Sequence, residues 1–476
     1  MSIKNRLVSI FGIDALEFIN HSKNYITADL FSTGLSFLSI PIITRLLPPE
    51  EYGIVSIFTS IILIFTVLFG LNTPGSVNRY YYEAKNDVKS FLISNLLFLL
   101  IFSIFSILII TLFFQNLLVS FFQVNYNIIF IGFIISVISA IIALYMAYLQ
   151  AQKNSKIQAT LSVLRNSLTL ALAIILIIIL NQNKYMGRLY AQLIITIVFG
   201  IYILVKLLKI DKYTFDWAHI RYSLIFGLPL MVHSLSGYIL SSFDRVVISQ
   251  LSGLKATGIY SFAYNVAILM SVIVMGMNKS WTPIFYEKYE KGEHDSLRAL
   301  LVKYSNYTYL FAVVLILFSK ELAMIMANKN YQMGLSIIPL IVLSYVFVFL
   351  YSIYGLFAFL KKKTILVSMN TLLAGFLNVG LNYWLIPIYG YMVAALTTLV
   401  SYIMLFVLHY INTKYILKEN LFNVFSLLKN IYLVFLALLI FYMVEYKIEY
   451  YILGITIKVI CVTIIAFILL KNKTKS

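Results

Sequence analysis

Residues 91–114 read FLISNLLFLLIFSIFSILIITLFF, an apolar run without a single ionisable side chain. A helix needs about 20 such residues to cross the ~30 Å hydrocarbon core of a bilayer, whereas core helices of soluble proteins are shorter and keep a polar stripe. Outward from this stretch the pattern of long apolar run and short polar break recurs about fourteen times between Tyr25 and Leu470. Spans are expected near 25–45, 54–78, 91–114, 128–150, 159–180, 189–208, 222–250, 258–282, 301–319, 334–359, 364–386, 389–413, 425–444 and 450–470. Hydrophobic residues at 61% and charged residues at 11% agree with an all-α polytopic membrane protein. No segment between the runs is long enough to bury a core of its own.

The composition excludes several chemistries. Cys461 is the one cysteine and lies in the last run, which rules out an intrachain disulfide and a cysteine metal cluster. His21, His219, His233, His294 and His409 show no ligand-like spacing, so no metal and no cofactor is expected. No glycine-rich phosphate loop occurs, so ATP is not the direct energy source.

The net charge of +18 follows topology, not nucleic acid. With the N-terminus inside, 26 Lys and Arg fall in cytoplasmic segments and 7 on the opposite side, with Arg165, Arg245 and Lys458 inside spans. By the positive-inside rule both termini are expected in the cytoplasm. The segment 1–24 carries Asp14, Glu17 and His21 and does not read as a signal peptide. Leu7, Ile10, Phe11, Ala15 and Phe18 recur at helical spacing, which predicts an amphipathic helix on the membrane surface.

An internal repeat has a period of 205 residues. ITRLLPPEEYGIVSIF from Ile43 aligns without gaps with ISQLSGLKATGIYSFA from Ile248, pairing Leu46 with Leu251, Gly53 with Gly258, Ile54 with Ile259 and Ser56 with Ser261. Both copies sit at the outer turn after the first span of a six-span block, so the repeat is parallel, about an axis along the membrane normal. The expected domains are an N-lobe at 25–208, a C-lobe at 222–413 and two appended spans at 425–470.

RLLPPEEYGIVSIF (45–58), SFDRVVISQLSGLKATGIYSFAYNV (242–266) and LIPIYGYMVAALTTLVSY (385–402) resemble the polysaccharide-transporter branch of the multidrug/oligosaccharidyl-lipid/polysaccharide (MOP) exporters, and within it the Wzx-type O-antigen and repeat-unit flippases. The resemblance covers essentially the whole chain; Val393 stands where relatives often carry a second glycine. It implies a V-shaped two-lobe fold in the plasma (inner) membrane of a bacterium. The implied substrate is undecaprenyl-diphosphate carrying an oligosaccharide, turned from the cytoplasmic to the outer leaflet by alternating access. The implied partners are membrane lipids and a polysaccharide polymerase and chain-length regulator, with no nucleic acid.

Ionisable groups within spans are costly and mark candidate sites. Arg165 and Arg245 are expected to bind the diphosphate, since guanidinium engages two phosphate oxygens at once; snorkelling is the alternative for Arg165. Asp244 joins this set, either with substrate or in an ion pair, and as a sequence neighbour of Arg245 each should find its partner elsewhere. Arg79 and Lys279, at span ends, are candidates for a cytoplasmic mouth or simple anchors. Lys458, on the last span, is expected near lipid. Asp29, Asp244 and His233 are the candidates for ion coupling. Pro229, with Gly227 and Gly237, makes the seventh span the expected hinge. Asn72, Asn265, Asn378 and Asn382 suit sugar hydroxyls or interhelical packing.

Three other functions compete. A cation-coupled drug exporter of the same superfamily would favour paired intramembrane carboxylates. A glycan polymerase needs a large outer loop, and the outer breaks here are short. A channel needs a filter loop or charge ring, and neither is present.

Overall fold

The computed structural model describes residues 31–84, 87–209, 214–447 and 450–471. The expected surface helix at 1–24, Asp29 and the start of the first span lie outside them. Among the described residues the regular structure is helical, with no strand. Twelve continuous stretches are long and apolar enough to cross a membrane. One of them, Trp217–Glu290, has 74 residues and suffices for two crossings, and apolar Phe31–Leu46 begins at the edge of the described residues. The total is about fourteen spans, as expected, and the protein is a multi-pass membrane protein.

The chain divides into two compact units: Met1–Leu47 with Ile54–Tyr238, and Pro48–Gly53 with Ile239–Ser476. The first unit holds α1 (Phe31–Leu46), most of α2 (Pro49–Gly70), α3 (Pro74–Glu83), α4 (Val88–Phe113), α5 (Gln115–Phe122), α6 (Tyr126–Ala151), α7 (Ser155–Ile179), α8 (Tyr185–Leu208) and α9 (Trp217–Ser242) as far as Tyr238. The chain breaks between α2 and α3, where Leu71 and Asn72 take positive φ, and Pro74 restarts the helix at a position where its missing N–H costs nothing. α4, free of ionisable side chains from Phe91 onward, buries Phe91, Leu92 and Leu96 against Ile141 and Leu144 of α6 and leaves Ile101, Phe105, Leu108 and Leu112 exposed. An outward face of that kind belongs in lipid, not water. α9 docks close against the α2–α3 break: a β-carbon on Gly227 would lie 2.5 Å from the Leu71 carbonyl oxygen, and Ser223 and Ser76 hydroxyls are 3.1 Å apart.

The second unit continues with α10 (Asp244–Glu290), α11 (His294–Leu317), α12 (Ser319–Met326), a 3₁₀ turn at Lys329–Ile337, α13 (Ile338–Leu360), α14 (Ile365–Tyr389), α15 (Ala394–Ile411), a π turn at Asn412–Ile416, α16 (Val424–Leu428), α17 (Tyr432–Lys447) and α18 (Tyr451–Lys471). α10 is bent at Gly253, whose φ of 82° is open to glycine. α13 is the central helix, buried along most of its length and packed on α10 and α15. α14 turns into α15 at Gly390, again at positive φ.

Candidate functional site

Arg165 and a second arginine share a cavity inside the first unit. Arg165, half-buried on α7, and Arg188, on the first turn of α8, line a space of about 120 Å³ together with Ser36 and Ser39 of α1, Ser139 of α6, Asn166 and Thr169 of α7, and Gln192 and Thr196 of α8. Among the described residues every polar side chain lining it is cationic or neutral. Among the described residues Arg165 has no ion pair; Thr169 donates to its carbonyl at 2.7 Å, which leaves the guanidinium uninvolved. An arginine within a span costs about 2.5–3.5 kcal/mol on insertion scales. A small cavity that two arginines line is chemically suited to an anion. The spacing of apolar runs placed Arg188 just outside the sixth span; its place beside Arg165 emerges only in the structure, where α8 begins at Tyr185.

Asp244 is the centre of a different arrangement, in the second unit. It opens α10 and is 1% exposed. Tyr260 Oη donates to its Oδ2 at 2.8 Å, Thr398 Oγ1 to the same oxygen at 2.9 Å, and Asn382 Nδ2 to its Oδ1 at 2.8 Å. Asn382 also donates to Asn378 Oδ1 at 3.2 Å and accepts from Thr397. The partners are therefore on α14, α15 and the far side of the α10 bend, and all are neutral. No salt bridge reaches this carboxylate among the described residues, and three hydrogen bonds from neutral donors hold it. Two of the asparagines singled out from the sequence, Asn378 and Asn382, belong to this knot, while Tyr260, Thr397 and Thr398 carried no signal that separated them from other span residues.

Arg245 points away from Asp244's donors. Its Nη1 donates to the Ser241 carbonyl at 3.2 Å, and its guanidinium carbon lies 4.5 Å from the centre of the Tyr264 ring, a cation–π contact. Arg79 is exposed and pairs with Glu83 Oε1 at 2.6 Å one helical turn on, while Tyr222 donates to Glu83 Oε2 at 2.7 Å. Lys279 is exposed on α10 and His233 half-buried on α9. Pro229 lies inside α9, which stays helical through it; the interruption comes later, at Phe243, immediately before Asp244. Asn72 donates to Ser234 at 3.5 Å and Asn265 to Tyr52 Oη at 2.8 Å, so both serve helix packing here. Lys458 does not meet lipid: it is 1% exposed and salt-bridged to Glu321 and Glu445, because a buried ammonium needs counter-charge.

Outside the spans, Asp87 makes the clearest electrostatic site of the first unit. Burial pushes its carboxyl up, but hydrogen bonds with His219 Nε2 (2.6 Å), Tyr80 Oη (2.9 Å) and Ser90 outweigh this and hold it below the ordinary carboxylate value. The other ring nitrogen of His219 meets Ser94 Oγ at 3.2 Å.

Known proteins with similar sequences and folds now bear on these sites. The chain is 25% identical over 270 residues to a protein of the Lsg locus of Haemophilus influenzae, a match spanning 55% of this chain and 64% of that relative's length. In structure it is similar to the lipid II flippase MurJ in an inward closed conformation, with a TM-score of 0.68 at 16% identity over 95% of this chain and 99% of MurJ. It is also similar to an inward-facing MATE multidrug resistance transporter of the MOP superfamily, with a TM-score of 0.62 at 17% identity, covering 82% of this chain and 96% of that one. These likenesses show that the chain shares the fold of those two proteins. Residues 23–289, more than half of the sequence, match the polysaccharide biosynthesis protein family, and the chain belongs to that family.

Proposed function

We propose that this protein is a lipid-linked oligosaccharide flippase, a transporter and not an enzyme. It passes undecaprenyl-diphosphate-linked repeat units, of O-antigen or another surface polysaccharide, from the cytoplasmic to the outer leaflet of a bacterial plasma membrane. The observation that carries this reading is the cavity lined by Arg165 and Arg188. A diphosphate cannot enter hydrocarbon unaided, since stripping water from charge is prohibitive. The guanidinium of Arg165 within its span and that of Arg188 at the start of α8 repay that loss with charge-assisted hydrogen bonds, and the hydroxyls and amides around them suit the first sugar. Arg245, stacked on Tyr264, is the corresponding cation of the second unit. Exposed Arg79 and Lys279 are the first cations the headgroup meets from the cytoplasm. The 26-to-7 asymmetry of basic residues supports cytoplasmic termini. Export delivers the repeat unit to a polysaccharide polymerase and chain-length regulator.

Asp244 is the residue best placed for ion coupling, because it is a buried carboxylate whose hydrogen-bond partners are all neutral oxygen- and nitrogen-bearing side chains. Asp29 and His233 are the remaining candidates. The test is flipping of a fluorescent undecaprenyl-diphosphate oligosaccharide in proteoliposomes, read by quenching from one side. The wild type should flip it, Arg165→Ala and Arg188→Ala should lose flipping, and Arg165→Lys should recover part, since charge survives without the fork. Flipping unchanged in both alanine variants, or cation-driven export of small drugs in its place, ends this reading.

A further inference from the structure

The last two membrane helices carry a charge arrangement that the transport reading does not use. Lys458 of α18 donates to Glu321 Oε1 of α12 at 2.7 Å and to Glu445 Oε1 of α17 at 2.8 Å. Lys320, next to Glu321 on α12, donates to the second oxygen of Glu445. The charges alternate around a closed circuit, Glu321, Lys458, Glu445, Lys320, which returns through the backbone to Glu321. The sum is zero, and both carboxylates are 15% exposed while Lys458 is 1% exposed. Glu321 Oε2 is buried and has no hydrogen-bond partner, so Lys458 is what holds this carboxylate in place.

Apolar helices in lipid gain nothing by excluding water from one another, so polar contacts decide which face docks where. α17 and α18 are otherwise apolar, with Leu436, Leu439, Val459 and Ile460 exposed. We propose that this circuit is an ion lock that fastens the α17–α18 hairpin to α12, with Lys458 as the residue on which it closes. The lock belongs to the second unit alone and stands whether or not the protein flips lipids. Removing Lys458 leaves the largely buried Glu321 carboxylate without a cation and Glu445 with Lys320 alone, which is worse than removing the whole set.

Cys461, three residues beyond Lys458 and the only cysteine, reports on the hairpin. In the purified full-length protein in detergent, Lys458→Met should raise the rate of Cys461 labelling by a thiol-reactive fluorophore about tenfold or more, with helical circular dichroism unchanged. Glu445→Gln, which weakens two bridges, should exceed Glu321→Gln, which weakens one. Butylammonium should slow labelling of Lys458→Ala, because it restores the cation without the tether. If Lys458→Met does not accumulate, the variant that also carries Glu321→Gln and Glu445→Gln should accumulate and label fast. Wild-type labelling in Lys458→Met or in that triple variant overturns the lock, as does a rise in Lys458→Ala that butylammonium leaves untouched.

Discussion

Gly53 and Gly258, 205 positions apart, stand in reciprocal backbone contact. A β-carbon on Gly53 would lie 2.0 Å from the Leu254 carbonyl oxygen, and one on Gly258 would lie 1.8 Å from the Pro49 carbonyl oxygen. Each glycine thus faces the residue four positions before the other, so repeat-related positions meet across a local two-fold relation within the second unit. This is why the six residues Pro48–Gly53 group there and not with the rest of α2. Tyr52, accepting from Asn265 and set edge-on to Tyr331, seals the same crossing.

Alanine at either glycine gains up to about 1 kcal/mol of helix propensity. The clash is with backbone, which cannot rotate aside, and overpacking of this kind costs about 1–3 kcal/mol or more. The clash should win: Gly53→Ala and Gly258→Ala should each lower the melting temperature in detergent. A neutral or raised value at both would mean that the crossing is loose.

Asp244 is held by three neutral donors; Asn382 and Thr398 keep acceptors in Asn378 and the Ala394 carbonyl, so Asp244→Ala should strand chiefly the buried Tyr260 hydroxyl, at about 1–3 kcal/mol. A clear fall in melting temperature is expected. Asp244→Asn should keep the shape but lose any dependence of flipping on a sodium or proton gradient. Retained dependence would remove Asp244 from ion coupling.

The Asp87 site predicts a pH signature. Its carboxyl is held below its ordinary value in the folded protein, so its contribution is present at neutral pH and lost as pH falls through the folded value. Asp87→Asn should melt lower than wild type at pH 7, and the gap should close below about pH 4. A gap that persists unchanged into acid would assign the effect to packing.

Pro229 should govern rate more than affinity. A proline removes one helix hydrogen bond and eases bending, and α9 has a second weak point at Phe243, where the amide reaches the Ile239 carbonyl only at 3.4 Å. Pro229→Ala should slow turnover of bound lipid while binding stays near normal. Weaker binding with unchanged turnover would place Pro229 in the site and dismiss it as a hinge.

The sequence by itself determined the membrane class, the number of spans to within the resolution of their ends, and the glycine pair of the repeat. Those features are written in local order: apolar runs matched to bilayer thickness, and a small residue at the same place in each block. It also singled out Arg165, Asp244 and the asparagines of α14, because ionisable and amide groups are conspicuous in apolar surroundings. What only the tertiary structure decided is who faces whom. Arg188 joined Arg165 because α7 and α8 pack side by side, Tyr260 reached Asp244 through the bend at Gly253 and Thr398 from α15, and Lys458 met Glu321 across more than a hundred residues. A helix presents every direction around its axis, so the span pattern alone cannot say which side of a helix finds a partner; packing between helices makes that choice.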